Sequence, residues 1–321
     1  MKVFSRRNKE QTLSVPLRTR YARDFSKNWQ LYLMELLPLL YVFIFLYIPM
    51  YGVQIAFRDY TAAGGMWGSR FVGLRWFEKF FRSPWFGRYL INTLRISVYG
   101  IIIGWPIPIA LALCFNTVRN KLFKNAIQFI SYLPYFISTV VLVGMLNVLL
   151  NSRTGILGRL LFSLSGGSLS NVLSMPEAFS HIYVWSGIWQ TMGWSTIIYM
   201  AALTSVSGDQ TEAAIIDGAT RFQRVIHVDI PAIVPTMVIQ FIMSLGSVLN
   251  VAVEKVLLMQ NDLNLQTSEI ISTYSFKIGL LIGSGNFSFG AAIGLFNSVV
   301  NLIILILVNY ISKRVSETSW W

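Results

Sequence analysis

Six long apolar stretches separate the polar parts of this chain, and they constrain its fold more than any other feature. A transmembrane helix needs about 20 mostly apolar residues. Six stretches reach that length, at roughly 31–52, 92–115, 125–150, 181–203, 232–254 and 288–311. Charged residues make up only 12% of the 321 residues, about half the share in a typical soluble domain. The sequence therefore predicts an all-α, polytopic membrane protein with about six transmembrane helices.

The distribution of Lys and Arg predicts which side of the membrane each loop faces. Segments 1–30, 116–124, 204–231 and 312–321 together hold 15 Lys and Arg, and the segments on the opposite side hold 11. Cytoplasmic loops carry the excess of these residues, so both termini and the loop at 204–231 are expected in the cytosol. The net charge of +12 then indicates contact with an anionic membrane surface rather than with nucleic acid.

Three regions follow from this pattern. Residues 1–30 contain eight Lys and Arg and no apolar core, unlike a cleavable signal peptide, and are interpreted as a basic cytosolic arm. A six-span transmembrane domain is expected at 31–311, and a cytosolic tail at 312–321. The single cysteine, Cys114, excludes an internal disulfide and a cysteine metal cluster.

A polar island at 207–231 stands between the fourth and fifth stretches. Asp209, three residues before Glu212, predicts a capping box at the start of a short helix. Gly218 can adopt the left-handed conformation that ends such a helix. Phe222 lies on the apolar side of a second short amphipathic segment. Pro231 predicts the start of the fifth span, where its missing N–H is not needed. The island reads Glu212-Ala213-Ala214-Ile215-Ile216-Asp217-Gly218, then nine residues, then Val228-Asp229-Ile230-Pro231.

This spacing resembles the signature loop of ABC importer permeases: E-A-A, three residues, G, nine residues, I-x-L-P. Val228 stands in place of the Ile and Ile230 in place of the Leu. Nearly the whole chain resembles permeases of type I ABC importers, in the maltose-type sugar class. The C-terminal third, with Thr273-Tyr274, the run 290–296 and the closing residues 316–321, resembles the branch for polysaccharide and complex oligosaccharide uptake, which includes alginate importers.

The resemblance implies a multi-pass subunit of the bacterial inner (plasma) membrane. Its partners would be a second permease of the same fold, two ATPase subunits in the cytosol and an external or periplasmic solute-binding protein. The chain has no G-x-x-x-x-G-K-S/T phosphate-binding motif. ATP and Mg²⁺ would therefore bind to the ATPases, and this chain would be neither an enzyme nor a binder of a cofactor or metal. The island would be a coupling helix in a groove of an ATPase, with the contact residues Asp209, Glu212, Ala213, Ala214, Asp217, Gly218, Phe222 and Pro231.

Polar and aromatic residues inside two spans predict the substrate path. Saccharides are held by aromatic planes together with a few well-placed amides and hydroxyls, and the resemblance implies that the fourth and fifth spans carry them. Packing and hydrogen bonding between helices is the alternative explanation for each of these residues. The candidates are Gln190, Thr191 and Trp194 in the fourth span and Ser244, Ser247 and Asn250 on one expected face of the fifth.

The alternative function is an ion-gradient-driven secondary transporter of a polar solute, which would need ionisable residues at mid-span; these are scarce here. Glu254 and Lys255 lie at the expected outer end of the fifth span, where they could pair or extend to the interface. The external segments hold 11 Lys and Arg against six Asp and Glu. This balance is compatible with an acidic saccharide and equally with contacts to lipid headgroups.

Overall fold

The computed structural model describes residues 17–167, 171–281 and 286–316, which are mostly helical. Part of the expected basic arm (1–16) and the end of the expected tail (317–321) lie outside the described residues. A two-stranded antiparallel hairpin is formed by β1 (Arg58–Asp59) and β2 (Arg70–Phe71). The helices are α1 Leu17–Val42, α2 Ile48–Met50, α3 Gly65–Gly68, α4 Arg75–Phe81, α5 Phe86–Gly104, α6 Pro106–Thr117, α7 Lys121–Tyr132, α8 Thr139–Leu149, α9 Ile156–Leu164, α10 Pro176–Leu203, α11 Gly208–Ile216, α12 Arg221–Arg224, α13 Ile230–Gly246, α14 Val253–Met259, α15 Leu265–Ser268, α16 Ile271–Phe276 and α17 Phe287–Ser316.

The first span belongs to a unit of its own, Met1–Gln54. α1 continues through a π turn at Phe43–Tyr47 into α2. The stretch Phe25–Phe57 is helical, and it is long and apolar enough to cross a membrane. This helix extends past the expected span, 31–52, at both ends.

The second unit, Ile55–Trp321, is organised around α10. This helix packs against α5, α6, α7, α13 and α15, and its 28 residues make it about 42 Å long. Within this unit the helical stretches Phe86–Thr117, Arg221–Gly246 and Phe287–Arg314 are long and apolar enough to cross a membrane. α10 is equally long but more polar, in keeping with the less apolar sequence of the fourth predicted span.

Glycines let α10 approach its neighbours closely. A Cβ on Gly193 would overlap the backbone carbonyl of Ser131 in α7, so this contact requires glycine. Gly104 of α5 also faces Ile188 of α10, but a Cβ there would make only an ordinary contact, 3.5 Å from the Ile188 side chain. Such small-residue contacts replace the hydrophobic driving force that is missing between helices in lipid.

The third predicted span is bent rather than straight. The helical stretches Lys121–Phe136 and Thr139–Leu149 meet at an angle of 98°. Pro134 begins the turn, and Ser138 starts α8 as an N-cap whose hydroxyl accepts from the N–H of Val141 at 3.3 Å. The carbonyl of Ile137, freed by the bend, accepts a hydrogen bond from Gln190 Nε2 of α10 at 2.7 Å. Non-helical backbone of this kind persists in a membrane protein where neighbouring groups satisfy it.

The fifth predicted span has different ends from those expected. Pro231 lies in the first turn of α13, but helix is continuous over Arg221–Gly246, so the span begins before the proline. A π turn at Val225–Asp229 comes just before the proline; this wider turn accommodates a residue that has no N–H and whose ring crowds the preceding turn. The helix then ends at Gly246, and a non-helical segment, 247–252, leads to α14.

The non-helical segment 247–252 is tied to α17. Asn301 accepts from the N–H of Leu249 at 3.0 Å, and its Nδ2 donates to Oδ1 of Asn250 at 3.0 Å. The expectation that Ser247 and Asn250 continue a helical face from Ser244 is therefore wrong. A long-range amide contact from α17 fixes this break.

Side chains from distant loops join at the end of α10 that begins with Pro176. Thr267 donates to the carbonyl of Pro176 at 2.6 Å, and Asn92 of α5 donates to the carbonyl of Glu269 at 2.9 Å. Glu269 also forms an ion pair with Lys277 at 2.6 Å. These bonds give the loop-rich end of the protein a fixed structure, whereas α11 and α12 follow the opposite end of α10.

Candidate functional site

A cavity of about 1150 Å³ opens along α10. Its walls come from α5, α6, α8, α10, α13, α14 and the non-helical segment 247–252. The two breaks in the helical structure, at Ile137–Ser138 and at 247–252, both lie at or next to this cavity. All six predicted path residues line it: Gln190, Thr191, Trp194, Ser244, Ser247 and Asn250. The structure thus brings them together, and their contact with substrate stays a prediction.

Trp194 supplies the aromatic plane at the cavity. Its ring is stacked on Tyr135 with a centroid distance of 4.5 Å and an interplanar angle of 5°, and Phe136 approaches edge-on at 6.1 Å. One ring face is covered by this packing, yet 44% of Trp194 is exposed. The stacking holds the indole in one orientation, and part of this cavity-lining side chain stays accessible.

The polar path residues also have structural roles. Gln190 donates to Ile137, and Asn250 accepts from Asn301. The hydroxyls of Thr191 and Ser244 donate to carbonyls one turn earlier in their own helices. An amide carries both donor and acceptor atoms, so the Gln190 oxygen and the Asn250 nitrogen remain able to bind a sugar hydroxyl.

Lys255 is a cavity residue that the sequence did not identify as one. The sequence suggested that Lys255 could pair with Glu254 or extend to the interface. Instead, Lys255 lines the cavity and is 5% exposed, while Glu254 is exposed. α14, which carries Lys255, lies outside the apolar spans, and burial lowers the pKa of the Lys255 ammonium from 10.5 to about 8.

The polar island forms two capped helices. The predicted capping box of Asp209 and Glu212 is wrong, because Ser207 is the N-cap of α11 and accepts from the N–H of Gln210 at 3.4 Å. Asp209 is instead in the first turn, where an acid favours the positive end of the helix dipole. A capping box does occur one helix later, between Thr220 and Gln223.

Gly218 ends α11 in the predicted left-handed conformation, with φ of +79°. The N–H of Ala219 donates to the carbonyl of Ala214 at 2.9 Å, and the N–H of Gly218 donates to Ile215 at 3.0 Å. This pair of bonds is a Schellman motif, which closes a helix C-terminus. The chain can then turn at once into α12.

The island presents a mixed surface of acids and apolar side chains. Phe222 is 73% exposed and Ile216 is 84% exposed. Glu212, Ala213 and Asp217 are also exposed, and neither acid takes part in the ion pairs of the described side chains. Sequence reasoning missed Ile216, although an apolar residue in a polar loop was a usable signal. Exposed apolar residues ringed by charge are typical of a protein contact.

The island and the cavity are joined by continuous helix. Phe222 lies in the first turn of a helical stretch, Arg221–Gly246, which includes Ser244 of the cavity wall. On the other side, α10 carries Trp194 and ends at Leu203, only four residues before α11. Two helices therefore connect the island to residues that line the cavity.

A family model described as binding-protein-dependent transport system inner membrane component matches residues 100–317. The chain belongs to this family. The predicted assignment to ABC importer permeases and the predicted all-α membrane fold are confirmed by this match, and the chain is a transport subunit rather than an enzyme. Because the family is one of inner-membrane permeases, the predicted membrane location is also confirmed at that level.

Curated relatives and solved structures agree with this assignment. Protein LplB of Bacillus subtilis (strain 168) is 41% identical to this permease over 287 residues, which covers 89% of each chain. The polygalacturonan/rhamnogalacturonan transport system permease protein YteP of the same organism is 40% identical, covering 89% of this chain and 88% of YteP. A chain from the crystal structure of a bacterial ABC transporter involved in the import of the acidic polysaccharide alginate superposes with a TM-score of 0.82 at 35% identity, covering 92% of this chain and 99% of that one.

Proposed function

We propose that this permease forms one half of the translocation path of an ATP-driven importer for an oligo- or polysaccharide. The observation that carries the proposal is the connection between the exposed island and the cavity through α10 and the helix Arg221–Gly246. A second permease of the same fold completes the path, and a solute-binding protein delivers the saccharide from outside. The family match gives no support to an ion-gradient-driven transporter.

The island is the coupling element that enters a groove of one of the two separate ATPase subunits. Its small Ala213 and Ala214 allow close approach, and the exposed Ile216 and Phe222 supply apolar contact area. Glu212 offers a charge to a basic residue of the ATPase. Closure of the ATPases on ATP moves the island as a rigid body and reshapes the cavity. This arrangement requires the island and both termini to lie in the cytosol.

The cavity is suited to saccharides because it combines a partly exposed indole with amides and hydroxyls. The relatives point to the same class of substrate. YteP is named for polygalacturonan and rhamnogalacturonan, and the solved transporter imports alginate and was also solved with an alginate pentasaccharide-bound periplasmic protein. In this permease the path residues are Gln190, Thr191, Trp194, Ser244, Ser247 and Asn250.

Uptake into proteoliposomes tests the proposal. The permease is reconstituted with its partner permease, ATPases and solute-binding protein, and uptake of a panel of labelled oligosaccharides is measured. We expect uptake to require ATP inside the vesicles and to persist when ionophores abolish all ion gradients. Uptake that continues without ATP and stops with the ionophores would establish the alternative function instead.

A further inference from the structure

A buried lysine lies in the wall of the cavity. Lys255 Nζ donates to the backbone carbonyl of Tyr183 at 2.9 Å and lies 4.7 Å from the centre of the Tyr183 ring. Both residues line the cavity, as does Gly187, the next lining position one turn further along α10. A Cβ on Gly187 would lie 3.1 Å from Nζ. The absence of a side chain at Gly187 therefore leaves room next to the ammonium.

This charge has no carboxylate partner among the residues whose side chains are described. The three ion pairs of those residues involve other cations, namely Arg75, Arg82 and Lys277. An ammonium carries three donors, and within the described part of the chain its one hydrogen bond is to Tyr183. A buried charge is costly unless it is paired, and the Tyr183 ring offsets only part of that cost. The two remaining donors are therefore available to an acceptor that enters the cavity.

The rest of the polar cavity wall is uncharged. The six predicted path residues can bind hydroxyls, but they cannot neutralise an anion. A carboxylate that enters the cavity would form a charge-assisted hydrogen bond with Lys255, and such bonds are about twice as strong as neutral ones. A neutral sugar would displace water from the ammonium without supplying the missing charge.

We propose that Lys255 is the anion-binding residue of the translocation cavity, and that it selects saccharides whose units carry a carboxylate, as in a uronate chain. This inference rests on the proposed function and specifies the chemistry of its substrate. The competing explanation is that Lys255 only ties α14 to α10. That tie needs a hydrogen-bond donor at position 255, whereas selection needs a positive charge.

Paired ligands and paired variants distinguish anion binding by the Lys255 charge from a purely structural role of its hydrogen bond. Uptake of trigalacturonate and of its fully methyl-esterified form is measured in the complete reconstituted transporter, with the same solute-binding protein throughout. The ester keeps the saccharide skeleton and removes its charge. Any preference of the binding protein cancels when variants are compared with the wild type.

Lys255→Gln keeps a donor for the Tyr183 carbonyl and removes the charge. We expect it to raise the half-saturating concentration of the acid about ten-fold or more and to leave that of the ester within about two-fold. Lys255→Arg should keep the preference for the acid. Lys79→Gln is the matched control, because Lys79 also lies over an aromatic ring, 5.3 Å from the centre of Trp76, but does not line the cavity. Its acid-to-ester ratio should equal that of the wild type.

Equal effects of Lys255→Gln on acid and ester, or no effect on either, would overturn the inference. Lys255 would then serve only to hold α14 to α10. If Lys255→Gln fails to assemble, Gly187→Ala decides the question, because its methyl group covers Nζ without removing the charge. It should weaken acid uptake selectively relative to the wild type, and an equal effect on acid and ester, or no effect on either, would contradict the inference. If the wild-type transporter takes up neutral oligosaccharides and no acidic ones, the inference is overturned but the proposed function is not. The absence of any ATP-dependent saccharide uptake would overturn the proposed function itself.

Discussion

Replacing Gly218 is a sharp test of the island as a coupling element, because the cost of the change comes only from the backbone. The φ of +79° is disfavoured for any residue with a Cβ, by about 1–2 kcal/mol. A Cβ at this position would meet no atom within 4 Å, so steric clash adds nothing. Relaxing the backbone would break the Schellman bonds, which are worth about 0.5–1.5 kcal/mol each.

A loss of about 1–2 kcal/mol lowers the ratio of closed to open α11 ends by about five- to thirty-fold. We expect the order of coupling to be Gly218→Asn above Gly218→Ala above Gly218→Val, because Asn tolerates the left-handed conformation and a β-branched residue does not. Co-purification of the ATPases and substrate-stimulated ATPase activity are measured in nanodiscs at matched membrane levels. Wild-type values for Gly218→Val, or equal losses for Asn and Val, would refute the reasoning.

Three further outcomes are expected. Glu212→Lys should release the ATPases, while Glu177→Lys, at an exposed acid in the first turn of α10, should not; co-purification checks both. Trp194→Ala should weaken saccharide uptake by about 1–3 kcal/mol at normal membrane levels, and unchanged kinetics would show that this cavity face does not meet the substrate. After Cys114→Ser, Gln210→Cys should resist an impermeant maleimide in intact cells and Ser163→Cys should react; external labelling of Gln210→Cys would contradict the topology.

Local chemistry explains why parts of the island were predictable from sequence. Gly218 lies at the end of a short helix with an immediate turn after it, and few residues other than glycine suit that backbone conformation. The cap of α11 was harder to assign, because Ser207 and Asp209 are both good N-cap residues only two positions apart. The choice between them depends on where the preceding chain leaves α10, at Leu203.

The cavity was predictable only in part, because its shape depends on contacts between distant residues. The facing positions of Gln190 and Trp194 follow from helical spacing within α10. The break after Gly246 does not, since Asn301, some 50 positions later, supplies the amide that holds it. The inward orientation of Lys255 likewise depends on the Tyr183 carbonyl. Pro231 could not be placed from sequence, because a proline at the start of a helix and one after a π turn have the same local pattern.

The most direct test of ATP-driven coupling is the accessibility of the cavity wall. With Cys114 replaced, Ser247→Cys lies in that wall, at the end of the helix that begins in the island. An impermeant maleimide is applied from the external side to the reconstituted transporter with its binding protein, with and without ATP under conditions that block hydrolysis. ATP is expected to increase labelling strongly, and Gly218→Val is expected to abolish the increase. Labelling that is the same with and without ATP would contradict ATP-driven coupling.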